Sequence, residues 1–194
     1  MSIQNKANLT TLFSVFFLLI VSLNSFSQQY HISNTNSDLK VYGTSSLHDW
    51  HEDVEEQKGS IEIDVTEDLK INALNLQVVS ESLKSGKRGM DKNTYKALNT
   101  DEYKIIKFQL TETKNITKLS HQKYKVEAYG NLTISGVTKR IQLNFELSMT
   151  DNQINLVGEK SFKMTDFKIE PPKALFGTIT TGDDITIKFN TVLK

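Results

Sequence analysis

The chain has 194 residues with 23 basic and 23 acidic side chains, so its formal charge is zero. Such a balanced, well-mixed surface argues against nucleic acid or an anionic membrane as the main partner. The lack of cysteine excludes a disulfide scaffold, thiol chemistry and a lipid-modified lipoprotein.

Residues 1–27 read as a secretory signal peptide. Lys6 gives a weakly positive start, residues 12–23 form an almost uninterrupted apolar run, and Ser25 and Ser27 put small residues at the −3 and −1 positions before Gln28. An apolar core of about twelve residues falls short of the roughly twenty that a membrane-spanning helix needs. Cleavage would leave 22 basic and 23 acidic residues in one exported domain, residues 28–194, periplasmic or secreted and without an integral membrane segment.

Segments 30–33 and 38–46 are the opening strands, with Leu39 and Val41 in the apolar phase. Segment 46–51 then gathers His48, Asp49, the only tryptophan, Trp50, and His51. Ile61, Ile63 and Val65 alternate with Glu62 and Asp64, the mark of a half-buried strand. Residues 69–80 carry Leu74, Leu76 and Val78 in one phase and Ile71 and Ala73 in the other, a break that predicts a bulge. Segment 85–89 is loop chemistry, and Asp91 is the expected N-cap of a short helix that ends at Leu98 with Asn99 as terminator. This is the one helix expected in the domain.

Ile106, Phe108 and Leu110 form the next alternating strand, and residues 115–120 are expected to complete a hairpin into Tyr124. Residues 124–147 show the strictest pattern. Tyr124, Val126, Ala128, Gly130, Leu132 and Ile134 share one face, and Ile141, Leu143, Phe145 and Leu147 share the corresponding face of the return strand. Ser135 to Lys139 between them supplies Gly136 for a tight reversal. Residues 152–158 and 159–165 are expected to pair about Gly158, and Ile185, Ile187 and Phe189 mark the inward phase of the closing strand.

Within the central hairpin, Gly130-Asn131-Leu132-Thr133-Ile134-Ser135-Gly136-Val137-Thr138-Lys139 resembles the "G-x-L-T-x-x-G-V-T-K" signature of the YceI-like family. Lys87 to Asp91, followed by Leu98, Tyr103, Ile106 and Phe108, resembles the family's charged segment, helix and return strand. Asp166-Phe167-Lys168-Ile169 is similar to its "D-F-G-I", with Lys168 where glycine is usual. Alternation alone fits a sandwich or a barrel. The resemblance implies an all-β antiparallel, lipocalin-like barrel of about eight strands with one inserted helix, and a polyisoprenoid or similar lipid in its lumen.

In such a barrel the apolar phase lines the interior. The expected lining is Trp50, Ile106, Phe108, Leu110, Val126, Ala128, Leu132, Ile134, Ile141, Leu143, Phe145, Leu147, Ile185, Ile187 and Phe189, with room left by Ala128 and Gly130 beside Phe108 and Phe145. An eight-stranded barrel either fills its interior with side chains or holds one small ligand. Lys87 and Arg88 are either a solvated charge run or contacts for a ligand head group. His48 and Trp50 are either rim packing or ligand contacts.

His48 and His51 would share one side of a helix but point to opposite faces of a strand, so no metal site is expected; one would need His31 or His121 as further ligands. There is no nucleophile elbow, phosphate-binding glycine loop or carboxylate pair with an apolar neighbourhood. The leading reading is therefore a non-enzymatic lipid-binding barrel whose ligand is an isoprenoid or isoprenoid quinone-like molecule, with no cofactor besides that lipid. An envelope structural or protein-interaction module with a filled barrel is the alternative, and monomer and homodimer both stay open.

Overall fold

The structure, a computed structural model, describes residues 28–65, 68–150, 152–174 and 177–194; the expected signal peptide, residues 1–27, lies outside them. The strands are β1 (Gln28–His31), β2 (Asp38–Ser45), β3 (Trp50–Val54), β4 (Gln57–Val65), β5 (Leu69–Val79), β6 (Leu83–Lys84), β7 (Ile105–Ser120), β8 (Lys123–Ile134), β9 (Val137–Thr150), β10 (Gln153–Lys163), β11 (Lys173–Ala174) and β12 (Ile179–Leu193). One helix, α1 (Arg88–Leu98), lies between β6 and β7.

All pairings are antiparallel, in the order β1-β4-β5-β7-β8-β9-β10-β12-β2-β3-β6, with β11 attached to β12. The sheet is a half-barrel with an eleven-stranded path rather than the eight-stranded barrel expected. Chain reversals after β2 and β3 divide one wall into short strands, and the two-residue β6 extends its edge. The sheet curls until the backbone beyond β1 meets the end of β12. His31 and Lys194 exchange N–H···O bonds of 2.8 Å, and Ser33 N–H donates to Val192 O at 2.8 Å.

The hairpin β8–β9 forms as its alternation dictates. Its register runs unbroken from Lys123 opposite Ser148 to Ile134 opposite Val137. Ser135 and Gly136 make the two-residue turn at φ 47° and 74°; positive φ at both central positions matches the twist of the flanking strands. All six even-numbered inward positions of β8 from Tyr124 to Ile134 are buried. The predicted phase break in β5 is a bulge, where Glu62 faces Ala73 but Ile63 faces Ile71.

Residues 115–120 pair with β8 in the hairpin expected into Tyr124, and they continue β7, whose sixteen residues bend through three register shifts. Two local expectations are corrected. Gly158 turns nothing: it sits inside β10, opposite both Phe189 and Phe145. The helix starts at Arg88, with Lys87 at its N-cap. Asp91 lies in the first turn and accepts 2.9 and 2.5 Å hydrogen bonds from Ser85 N and Oγ, so it fixes the preceding loop. Asn99 does end the helix, at φ 51°.

The interior divides along the strands. Toward the β7–β8 turn it is solid, with Ile61, Ile63, Val126, Ala128, Phe145, Leu147, Ile154 and Leu193 packed together. Toward α1 a second cluster, centred on Leu39, Val54, Val78 and Leu83, draws in Val41, Leu76, Ile106, Ile187 and Phe189. The outer face carries exposed pairs such as Lys123–Glu146 at 2.7 Å and Lys163–Asp184 at 3.0 Å, each worth about 1 kcal/mol at most.

Lys168 closes the 3-10 turn Met164–Phe167 in the left-handed region, at φ 59° and ψ 23°. The backbone there takes the conformation glycine adopts freely, and a side chain holds it at a cost of roughly 1–2 kcal/mol. Glycine costs about 0.5–1 kcal/mol of chain entropy in return. Lys168→Gly should therefore raise stability by about 0.5–1 kcal/mol, read as a higher urea midpoint with unchanged slope; a lower midpoint would refute the strain.

Candidate functional site

The half of the interior nearer α1 holds a cavity of about 660 Å³. Its wall is built by inward phases: Leu39 and Val41 on β2, Leu74, Leu76 and Val78 on β5, Ile106 and Phe108 on β7, Leu132 and Ile134 on β8, Ile141 and Leu143 on β9, and Ile185, Ile187 and Phe189 on β12. Helix α1 covers one side with Met90, Asn93, Thr94, Ala97 and Leu98. None of the helix residues is buried, because its inner face looks onto the cavity and not onto packed side chains.

Helix α1 is tied down along its C-terminal half. Lys84 Nζ donates to Tyr95 Oη at 2.5 Å, and that hydroxyl donates to Glu81 O at 2.8 Å. Thr100 Oγ1 donates to Glu81 Oε1 at 2.9 Å, and Ser135 Oγ in the β8–β9 turn donates to Leu98 O at 2.9 Å.

Three aromatic rings of the wall lie against glycines. A β-carbon on Gly43 would sit 2.2 Å from the Trp50 ring, one on Gly130 2.3 Å from Phe108, and one on Gly158 2.6 Å from Phe189. Trp50 is held further by its indole N–H, which donates to Thr44 O at 2.9 Å. The rings thus lie back on the sheet and leave the centre open.

Of the side chains expected to line a lumen, Trp50, Ile106, Phe108, Leu132, Ile134, Ile141, Leu143, Ile185, Ile187 and Phe189 line this cavity. Leu110, Val126, Ala128, Phe145 and Leu147 do not. They share the inward face but belong to the solid packing, and Phe108 fills the space over Gly130 that was expected beside Ala128. His48 and Lys87 lie in the wall, whereas Arg88 does not. The exposed wall residues Leu47, His48, Lys87, Gly89 and Lys173 form a rim where the β2–β3 loop, the start of α1 and β11 meet.

His51 points the other way, its ring 5.8 Å from that of Tyr42. Among the described residues no three His, Asp or Glu side chains gather into a metal-binding group, and no helix is long and apolar enough to cross a membrane.

Sequence reasoning missed Glu52. It follows Trp50 by two positions, so it shares the inward phase of β3, and that spacing was the available signal. The side chain is 1% exposed and lines the cavity. Burial pushes its carboxyl up to about 7 from 4.5, and Asp91 adds to the rise, against the Thr94 hydrogen bond and Lys84.

The sequence profile of the YceI-like domain matches residues 30–193. The fold is similar to that of Burkholderia cenocepacia BcnA, with a TM-score of 0.68 at 13% identity over 83% of this chain and 98% of that one. It is also similar to a polyisoprenoid binding domain from Saccharophagus degradans implicated in plant cell wall breakdown, with a TM-score of 0.67, 12% identity, and 85% and 97% coverage. The Campylobacter jejuni YCEI protein gives 0.57 at 19% identity, covering 73% of this chain and 82% of that one. Identities this low carry the fold alone. No curated protein matches the sequence.

Between pH 4.5 and about 7 the unfolded chain ionises at Glu52 while the folded protein keeps the proton. Stability therefore falls as pH rises through this window, by about 3 kcal/mol, and levels off above it. Urea titrations of Glu52→Gln across the window should lack this component; an identical slope in parent and variant would contradict the buried assignment. Gly43→Ala forces a methyl group into the indole and should cost about 1–3 kcal/mol, with a shifted emission from the single tryptophan. Unchanged emission would mean that the ring does not rest on Gly43.

Proposed function

The chain belongs to the YceI-like domain family, and from that premise we propose that it is an exported, non-catalytic protein that holds one long apolar lipid, an isoprenoid or isoprenoid quinone-like molecule, in the cavity. The observation that carries this reading is the cavity itself, about 660 Å³ walled mainly by aliphatic and aromatic side chains of the strands, with α1 over one side. Its size lies within the usual range for pockets that enclose a small ligand. At roughly 30 Å³ per group, the share a water molecule takes in the liquid, it accommodates about twenty methylene-sized groups.

Burying that many groups gives about 16 kcal/mol at about 0.8 kcal/mol each. Lost translation, rotation and chain freedom take back roughly 4–15 kcal/mol. Micromolar binding, about 8 kcal/mol, falls within the difference. No cofactor besides the lipid is invoked. The apolar run over residues 12–23 and the small residues before Gln28 support export into the periplasm or beyond, where an insoluble chain needs a carrier. A protein-interaction module is the weaker reading, because only the half of the interior toward the β7–β8 turn is filled.

The reading is tested by native mass spectrometry of the protein purified from a bacterial envelope, followed by extraction and lipid mass analysis. One apolar ligand per chain is expected. Leu143, in the cavity wall opposite Ala128, is the position at which to block it. Leu143→Trp should fold, with a stability change of about 1–3 kcal/mol, and lose at least about tenfold in lipid retention, since the indole takes volume the chain needs. A folded variant that retains lipid as the parent does would remove the cavity from the mechanism.

A further inference from the structure

The inward phase of β3 reads Trp50, Glu52, Val54, and all three side chains line the cavity. Glu52 is therefore a carboxyl group set into an apolar wall and 1% exposed. Burying such a group is unfavourable, and a cavity for hydrocarbon alone does not call for it. Its Oε1 accepts a 2.6 Å hydrogen bond from Thr94 Oγ1 of α1, and Asn93, the preceding residue of the helix, lines the same cavity. A few convergent polar groups in an otherwise apolar pocket are what orient a ligand.

We infer that Glu52 and Thr94 form an anchor for an uncharged polar end of the bound lipid, a carbonyl or hydroxyl oxygen, and reject an anionic one. The inference rests on the lipid-binding reading above and specifies the ligand's chemistry. A protonated carboxyl offers one O–H donor, which a carbonyl oxygen accepts. A phosphate or carboxylate end would instead carry a full charge into a low-dielectric wall, and once Glu52 ionises it would lie beside a second anionic group. Among the groups packed around Glu52, Asp91 of α1 disfavours its ionisation and Lys84 of β6 favours it. The other ionisable side chains of the cavity wall are His48, Lys87, Lys160 and Lys173. The O–H donor is present in acid and is lost as the pH rises through about 7.

The experiment compares two probes on the lipid-stripped protein, followed by Trp50 fluorescence at about pH 5.5 and about pH 8.5, either side of the titration. Geranylgeranylacetone is a prenyl chain ending in a ketone; phytane is a branched hydrocarbon of similar length without oxygen. The ketone should bind about five- to tenfold tighter at the lower pH, and phytane equally at both. Glu52→Gln keeps an N–H donor at every pH and should bind the ketone tightly with no pH dependence. Glu52→Leu should show no pH dependence and lose the tight ketone binding of the parent at the lower pH; if it does not fold, the near-isosteric glutamine variant decides.

A parent affinity for the ketone that does not change with pH overturns the anchor and leaves lipid binding intact. So does a pH dependence that survives in Glu52→Gln, which would belong to a group other than Glu52. If neither probe binds at either pH, the lipid-binding reading falls and the anchor falls with it.

Discussion

The open volume depends on rings that lie against backbone. Trp50, Phe108 and Phe189 each rest where a neighbouring strand has glycine, at Gly43, Gly130 and Gly158. A methyl group at any of the three positions would collide with the ring and drive it toward the cavity. Large aromatic side chains usually fill an interior, and here the same side chains face the cavity from its wall. The glycines weaken their strands locally, a loss set against the ring area buried on them.

The second constraint is curvature. Bulges in β5, β7 and β12 bend the sheet until the backbone at the end of β1 and beyond it bonds to the end of β12. Toward the β7–β8 turn the inward faces meet and pack solidly. Toward α1 they stay apart, and the helix lies over the gap, held to β6 through Tyr95 and to the β8–β9 turn through Ser135. Filled and open regions are thus consecutive parts of one structure, and the filled part holds the strands in register while the open part stays free for a ligand.

Glu52 is the point at which stability and binding pull in opposite directions. Its burial makes the folded protein less stable at neutral pH than in mild acid, and an apolar residue in its place would relieve that cost. The Thr94 hydroxyl compensates in part, and it comes from α1, which borders the cavity. The carboxyl therefore couples α1 to β3 across the wall, where a polar ligand atom would lie between apolar surfaces.

Period-two alternation by itself determined which side chains face inward, because successive residues of a strand point to opposite faces whatever the strand pairs with. It also determined the β8–β9 hairpin, whose turn needs positive φ at Ser135 and Gly136, and the phase break that becomes the β5 bulge. The same rule placed Glu52 beside Trp50 and Val54 on the inner face, a consequence that an apolar-only reading of the phase passed over. It carries no information about depth along a barrel, so Val126, Ala128 and Phe145 were indistinguishable in sequence from Leu132, Ile134 and Leu143. Only the tertiary structure decided that the first three are packed solid and the others border a cavity, because that outcome depends on how far opposite walls stand apart. The separation is set jointly by bulges, by the contact between β1 and β12, and by rings resting on glycines of other strands, none of which is local in the chain.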